Sequence, residues 1–310
     1  MEHRVNADPL RDWFDRAGVR VDPRRVLADE MDGGRVLFPA RLIPYLDHEL
    51  VAGLADEART ALVARHAYHY FAFTAHFETR VVNRAAEMLA NGRVDAPLRR
   101  DVRLDAFKIY CDEAYHALYS FDVVRQLESA SRVEALPYDF TPFLTRLDDI
   151  SSGAMPHRGT LPQLLQVVVF ETLVTTLLAE LPNDPDLVGL VRETVRDHAR
   201  DEGRHHVFFS HLFREVWSGL DPAARRETAR CLPRLIGHSL RPDLRPARAN
   251  LAAAGLTPTQ VEDVVRDVYP PESVRRTTRD QAVQSVRLFR SCGVLDLPEG
   301  LDAFHEEGLL

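Results

Sequence analysis

Asp112-Glu113-Ala114-Tyr115-His116 and Asp201-Glu202-Gly203-Arg204-His205 write the same five-residue motif twice. Both copies sit in segments of helical periodicity, and residues three apart on a helix share a face, so each Glu and His can hold one metal ion. Ahead of each copy stands a further acid in an otherwise apolar run, Glu78 before the first and Glu171 before the second. The order Glu, Glu-x-x-His, Glu, Glu-x-x-His is that of a carboxylate-bridged two-metal site inside a four-helix bundle.

Working outward, apolar residues recur at three- and four-residue intervals from about Asp47 to Leu89, and Asn91 to Pro97 breaks the pattern. A second helix is expected from Arg99 to Val133, a third from Leu161 to Leu181, and a fourth from Asp186 to Trp217. Pro182-Asn183-Asp184-Pro185 separates the last two, while 134–160 carries Pro and Gly enough for short helical turns or a lid. More helices are expected near 222–238, 257–268 and 272–292, and a short one near Pro9 to Ala17. No run of alternating β-branched residues appears. The reading is all-α and a single domain: an extension over 1–46, the bundle over 47–217, and helices packing on it over 218–310.

Glu171 lies in Leu164–Leu178, a segment apolar nearly all round and therefore buried. An unpaired carboxylate there costs several kcal/mol to ionise, so it must be protonated, ion-paired or bound to metal. Glu78 sits in an aromatic-rich stretch, and Arg80, two positions on, faces elsewhere. Chance supplies about one Glu-x-x-His in a chain of this composition, so the pairing of two carries the argument. Asp112 and Asp201, each preceding its Glu, suit a supporting role: metal-bound imidazoles donate their other N–H to a carboxylate. Each is expected to reach the histidine of the opposite helix; the alternative is a solvated helix residue. His198, four before Glu202 and seven before His205, shares their face. Taken alone it reads as a hydrogen-bonded core histidine. His206 and His211 fall outside the set. Four carboxylates would balance two divalent cations, and such ligands with open positions suit iron first, then manganese.

Composition narrows the class. A net charge of -8 over 310 residues, with no basic run, argues against a nucleic-acid binder. Lys108 is the only lysine. Cys111, Cys231 and Cys292 are too widely spaced for a disulfide framework or a zinc motif, which fits a reducing cytosol. No signal peptide or membrane span is read, so a cytoplasmic location is expected.

The pattern Glu78, Asp-Glu113-Ala-Tyr-His116, Glu171, His198-Ala-Arg-Asp-Glu202-Gly-Arg-His205 resembles the p-aminobenzoate N-oxygenase (AurF-like) family, most of all in the histidine one turn before the second Glu-x-x-His. The likeness covers about residues 50–217. It implies a ferritin-like bundle with two iron ions on Glu78, Glu113, His116, Glu171, His198, Glu202 and His205. It implies O₂-dependent oxidation of an amine, commonly an aryl amine, to hydroxylamine, nitroso or nitro products in natural-product biosynthesis. A homodimer is also implied. With no flavin or nicotinamide fingerprint in the chain, electrons are expected from a ferredoxin or separate reductase. Tyr70, Thr74 and Thr175 could line a cavity, and Arg275, Arg276 and Arg279 could clamp a carboxylate, though packing and solvation are the default for these.

Three rival readings remain. One is another di-iron oxidase, a desaturase or C-hydroxylase; a radical-storing subunit fits poorly, because Ser120 occupies the tyrosine position with Tyr119 one step off. Another is a ferritin-like iron-binding protein. The last is a metal-free helical interaction protein.

Overall fold

The computed structural model describes residues 8–27, 34–95 and 100–310, side chains at 175–177 excepted. Among these residues there are helices and no strand; Val36 and Leu187 form one isolated parallel bridge. Two short helices come first, α1 (Trp13–Arg16) and α2 (Gly18–Val21), then α3 (Glu49–Ala52). The bundle follows: α4 (Asp56–Phe77) runs through a π-helical turn (Glu78–Val82) into α5 (Asn83–Ala90), and α6 spans Arg100–Ser131. Then come α7 (Thr141–Ala154), α8 (Leu161–Leu177) and α9 (Gly189–Gly219). Beyond the bundle lie α10 (Pro222–Leu240), α11 (Leu244–Ala253), α12 (Pro258–Val268), α13 (Pro271–Gln281), α14 (Val283–Ser291) and α15 (Pro298–Glu306).

Helices α4–α5 pack on α6, α8 packs on α9, and α6 meets α9 to close the bundle. The reason is in the burial patterns. Along α6, Asp105, Ile109, Asp112, Glu113, His116, Ser120, Val123, Val124 and Leu127 turn inward at helical spacing. Along α9 the inward set includes Val191, Val195, His198, Glu202, His205, Phe209 and Leu212. Helix α8 is buried on every side from Leu164 to Val174, so it forms the central rod.

Several boundaries differ from the sequence reading. The first bundle helix begins at Asp56, because Gly53-Leu54-Ala55 interrupts the run expected from Asp47. Region 134–160 holds a full helix, α7, with Pro142 in its first turn, where proline costs nothing. The expected 272–292 helix is two, split at Ala282, and the helices α11 and α15 were not foreseen. Local capping explains the starts of the outer helices. The Asp221 carboxylate accepts from the Ala224 amide, and Thr257 and Gln260 form a capping box at α12.

Candidate metal centre

The structure brings all seven predicted ligand residues together, and each is buried to at least 97%. They form two groups whose donor atoms lie within 4.8 Å of one another: Glu78, His116, His198 and Glu202, and Glu113, Glu171, Glu202 and His205. Glu202 belongs to both. Its Oε1 stands 3.1 Å from His198 Nε2, 3.3 Å from His116 Nδ1 and 3.4 Å from His205 Nδ1. Glu113 likewise reaches two ways, with Oε2 2.9 Å from His116 Nδ1 and Oε1 2.8 Å from His205 Nδ1. Two carboxylates therefore lie between the two halves of the cluster.

Local backbone decides how Glu78 arrives. It opens the π-helical turn, the extra residue of which re-aims the side chains that follow; such turns recur at functional sites. Phe77 and Phe170, each one residue ahead of a cluster glutamate, stack at 3.8 Å between ring centres and cover that side. Both oxygens of Glu78 and of Glu171, and one of Glu202, lack hydrogen-bond partners among the described residues.

Charges in this cluster are poorly matched. Burial, then the charges of Glu113 and Glu202, hold the Glu78 carboxyl well above its usual range, and burial with Glu202 and Glu113 does the same to Glu171. Burial and Glu202 push Glu113 up as well, but His205 and His116 outweigh them and bring it to about 2. Burial works against charged His116 and His205, yet the surrounding carboxylates raise both. His198 moves down, through burial and then the His116 charge. Carboxylate oxygens of Glu78, Glu171 and Glu202 are thus left without a hydrogen-bond donor among the described residues. A pair of divalent cations supplies that need, so the residues fit the metals.

Asp112 and Asp201 sit behind the histidines, each touching the one from the opposite helix. Asp112 Oδ2 is 3.1 Å from His205 Nε2, and Asp201 Oδ2 is 3.4 Å from His116 Nε2. With Nε2 turned to these carboxylates, both rings present Nδ1 to the cluster. His206 turns away, its Nδ1 3.1 Å from the Glu171 carbonyl oxygen.

Sequence reasoning missed what stands behind the aspartates. Trp13 Nε1 donates to Asp112 at 2.8 Å, the Gly18 amide donates to Asp201 at 3.2 Å, and Arg204 pairs with Asp201. No motif marks Trp13 or Gly18; their only signal was a tryptophan and a glycine in a polar extension. Tyr119 stands one step from the radical-tyrosine position, yet its ring lies 5.5 Å from His116 and 6.0 Å from His198, and its hydroxyl is buried. Tyr119 also lines a largely apolar cavity of about 210 Å³ with Tyr115, Leu118, Val123 and Thr194. Arg24 and Arg25 rim that cavity but are already paired with Asp122 and Asp197.

The secondary candidates fare unevenly. The Tyr70 hydroxyl is buried without a partner among the described residues, and burial followed by the Glu78 charge raises its pKa. Thr74 bonds back to the Tyr70 carbonyl at 3.2 Å, satisfied within its own helix. Arg275, Arg276 and Arg279 are exposed on α13. The Thr175 side chain lies outside the described residues.

A family model described as P-aminobenzoate N-oxygenase AurF matches residues 4–293. A 4-aminobenzoate N-oxygenase from Streptomyces thioluteus is 24% identical over 281 residues, covering 87% of this chain and 81% of its own length.

Proposed function

Since the chain belongs to the p-aminobenzoate N-oxygenase family, we propose that it is a di-iron amine N-oxygenase acting on an aryl amine of the aminobenzoate type. The observation that carries this reading is the buried set of four glutamates and three histidines, with carboxylate oxygens that have no hydrogen-bond partner among the described residues. Glu78, His116, His198 and Glu202 would hold one ion, and Glu113, Glu171, Glu202 and His205 the other. Four carboxylates neutralise two ferrous ions, which a dry apolar interior requires. Iron supplies the redox chemistry with O₂, a role that zinc cannot fill; manganese is the second choice.

The chain's own groups prepare that chemistry. Asp112 and Asp201 accept from Nε2 of His205 and His116, which orients each ring and leaves an Nδ1 lone pair for the site. Phe77 and Phe170 exclude water from one side. The Tyr119 hydroxyl, its pKa raised by burial and then by the Glu78, Asp201 and Glu202 charges, stays protonated, a buried O–H on a ring 6.0 Å from that of His198. Insertion of one oxygen atom into an amine, with the other leaving as water, takes two electrons and two protons from outside. A ferredoxin or reductase is the donor we propose, and natural-product biosynthesis the setting. No helix among the described residues is long and apolar enough to cross a membrane. Leu104, Phe107, Leu118 and Phe121 lie exposed along α6, three, eleven and three residues apart, spacings that a helix keeps on one face. That face supports a homodimer, the whole chain acting as one domain.

The deciding measurement is incubation of iron-loaded, reduced protein with ¹⁸O₂ and a panel of aryl amines. Labelled hydroxylamine, nitroso or nitro products are expected by mass spectrometry. Ring or alkyl hydroxylation, or desaturation, in their place would overturn the amine assignment while leaving an oxidase.

A further inference from the structure

The segment Leu10 to Gly18 is bound to the back of the cluster by three buried hydrogen bonds. Lys108 Nζ, 8% exposed, donates to the Leu10 carbonyl at 2.9 Å and to Asp105 at 2.8 Å. Trp13 Nε1 donates to the same Asp112 oxygen that faces His205, and the Gly18 amide to the same Asp201 oxygen that faces His116. The result is two parallel relays, each running from an N–H of the extension through a carboxylate to a histidine of the cluster.

The donors are of one kind. An indole N–H and a backbone N–H can only donate, so each aspartate oxygen they reach is kept as an acceptor towards its histidine. That direction obliges Nε2 of each ring to carry the proton and Nδ1 to offer its lone pair. Space at Gly18 is also spoken for: a Cβ there would lie 2.6 Å from Asp201 Oδ2 and 2.8 Å from Asp22 Oδ2. Asp201 is 1% exposed and held by Arg204 and His116, so it cannot swing clear without releasing its histidine.

We propose that Trp13 and Gly18 are positioning residues of the metal centre, each setting the orientation of one histidine through its aspartate; this rests on reading the cluster as a two-metal site. The extension is then a working part of the centre.

Cobalt(II) titration of the metal-free full-length protein, followed by visible ligand-field absorption, tests this without turnover. The wild type should take up two Co(II). Trp13→Phe, which keeps an aromatic ring and removes the donor, should weaken one of the two by about tenfold or more and shift its bands, the usual scale for a lost supporting partner. Gly18→Ala should do the same to the other. In an Asp112→Asn background, Trp13→Phe should add little, because the relay is already broken. Circular dichroism of the metal-free variants checks that helix content is kept. Two Co(II) bound to both variants with wild-type affinity and bands would overturn the proposal. So would an undiminished effect of Trp13→Phe in Asp112→Asn, which would mark simple packing. A wild type that binds no Co(II) would instead remove the two-metal reading, and this inference with it.

Discussion

Two sets of histidines lie within the same bundle and meet opposite fates. In the middle of α4, His66 and His69 sit among rings: Phe38 is 4.9 Å from His66, and Tyr138 and Phe140 are 4.7 and 5.4 Å from His69. Burial lowers His66 to about 3, with His69 adding to it, and burial lowers His69 to about 4. In the centre, His116 and His205 are more deeply buried, yet their carboxylate neighbours raise both. Burial by itself therefore says little about a histidine's task. Neutral rings in an aromatic wall are packing. Rings amid carboxylates with unpartnered oxygens mark a place that wants cations.

The strongest way to break this contrast is to remove a central acid. Glu171→Leu should abolish metal uptake at one position and with it all N-oxygenation, read by elemental analysis and product mass spectrometry. The same change should leave the metal-free protein as stable or up to about 4 kcal/mol more so, since a buried acid without its counter-ion is a burden. Equilibrium urea unfolding checks it, and a clear destabilisation of the metal-free form would count against the cation-seeking cluster.

Metal removal comes next. At metal one hundred times its Kd, the wild type should gain about 2.7 kcal/mol over the chelated form. His198→Ala should weaken uptake by at least about tenfold. His66→Phe should leave uptake unchanged and cost about 1 kcal/mol, for the Tyr45 hydroxyl 3.4 Å away loses its partner. Equal metal affinity in the two variants would erase the distinction between the two sets.

Acid sharpens it further. His66 and His69 have folded pKa values below the ordinary 6.5, so the unfolded chain binds more protons as pH falls. Their contribution is complete above about pH 6.5 and is lost on the way down towards pH 4 and then 3. Over that window the wild type should lose more stability than a His66→Phe/His69→Phe double variant, measured by urea unfolding at pH 7, 5.5 and 4.5. Parallel curves would mean that these rings are not held neutral.

The smallest effects belong to the surface. Arg275→Ala, Arg276→Ala and Arg279→Ala should each change stability by no more than about 0.5 kcal/mol and leave turnover intact. A raised KM for a carboxylated amine would restore the clamp role considered for them.

Much of the centre was legible because its spacing is local. Glu113 with His116, and His198 with Glu202 and His205, share faces by the helical period alone. Glu171 could be read because its neighbours are apolar all round, a property of one helix. Glu78 was found by its aromatic setting, but the π-helical turn that it opens leaves no mark in composition. Nor does the composition of 134–160 foretell α7, whose helix rests on packing against α8 and α10.

Taken alone, the amino-acid order determined the helices of the bundle, the acids and imidazoles on their inward faces, and the family they belong to, because a 3.6-residue repeat acts over one or two turns. Tertiary structure decided the rest: that Asp112 meets His205 and Asp201 meets His116, and that Trp13 and Gly18, from about 100 and 180 residues away in the chain, stand behind them. Contacts at such separations are chosen by how whole helices pack and by which buried groups still need partners, a sum over the molecule that no short stretch contains.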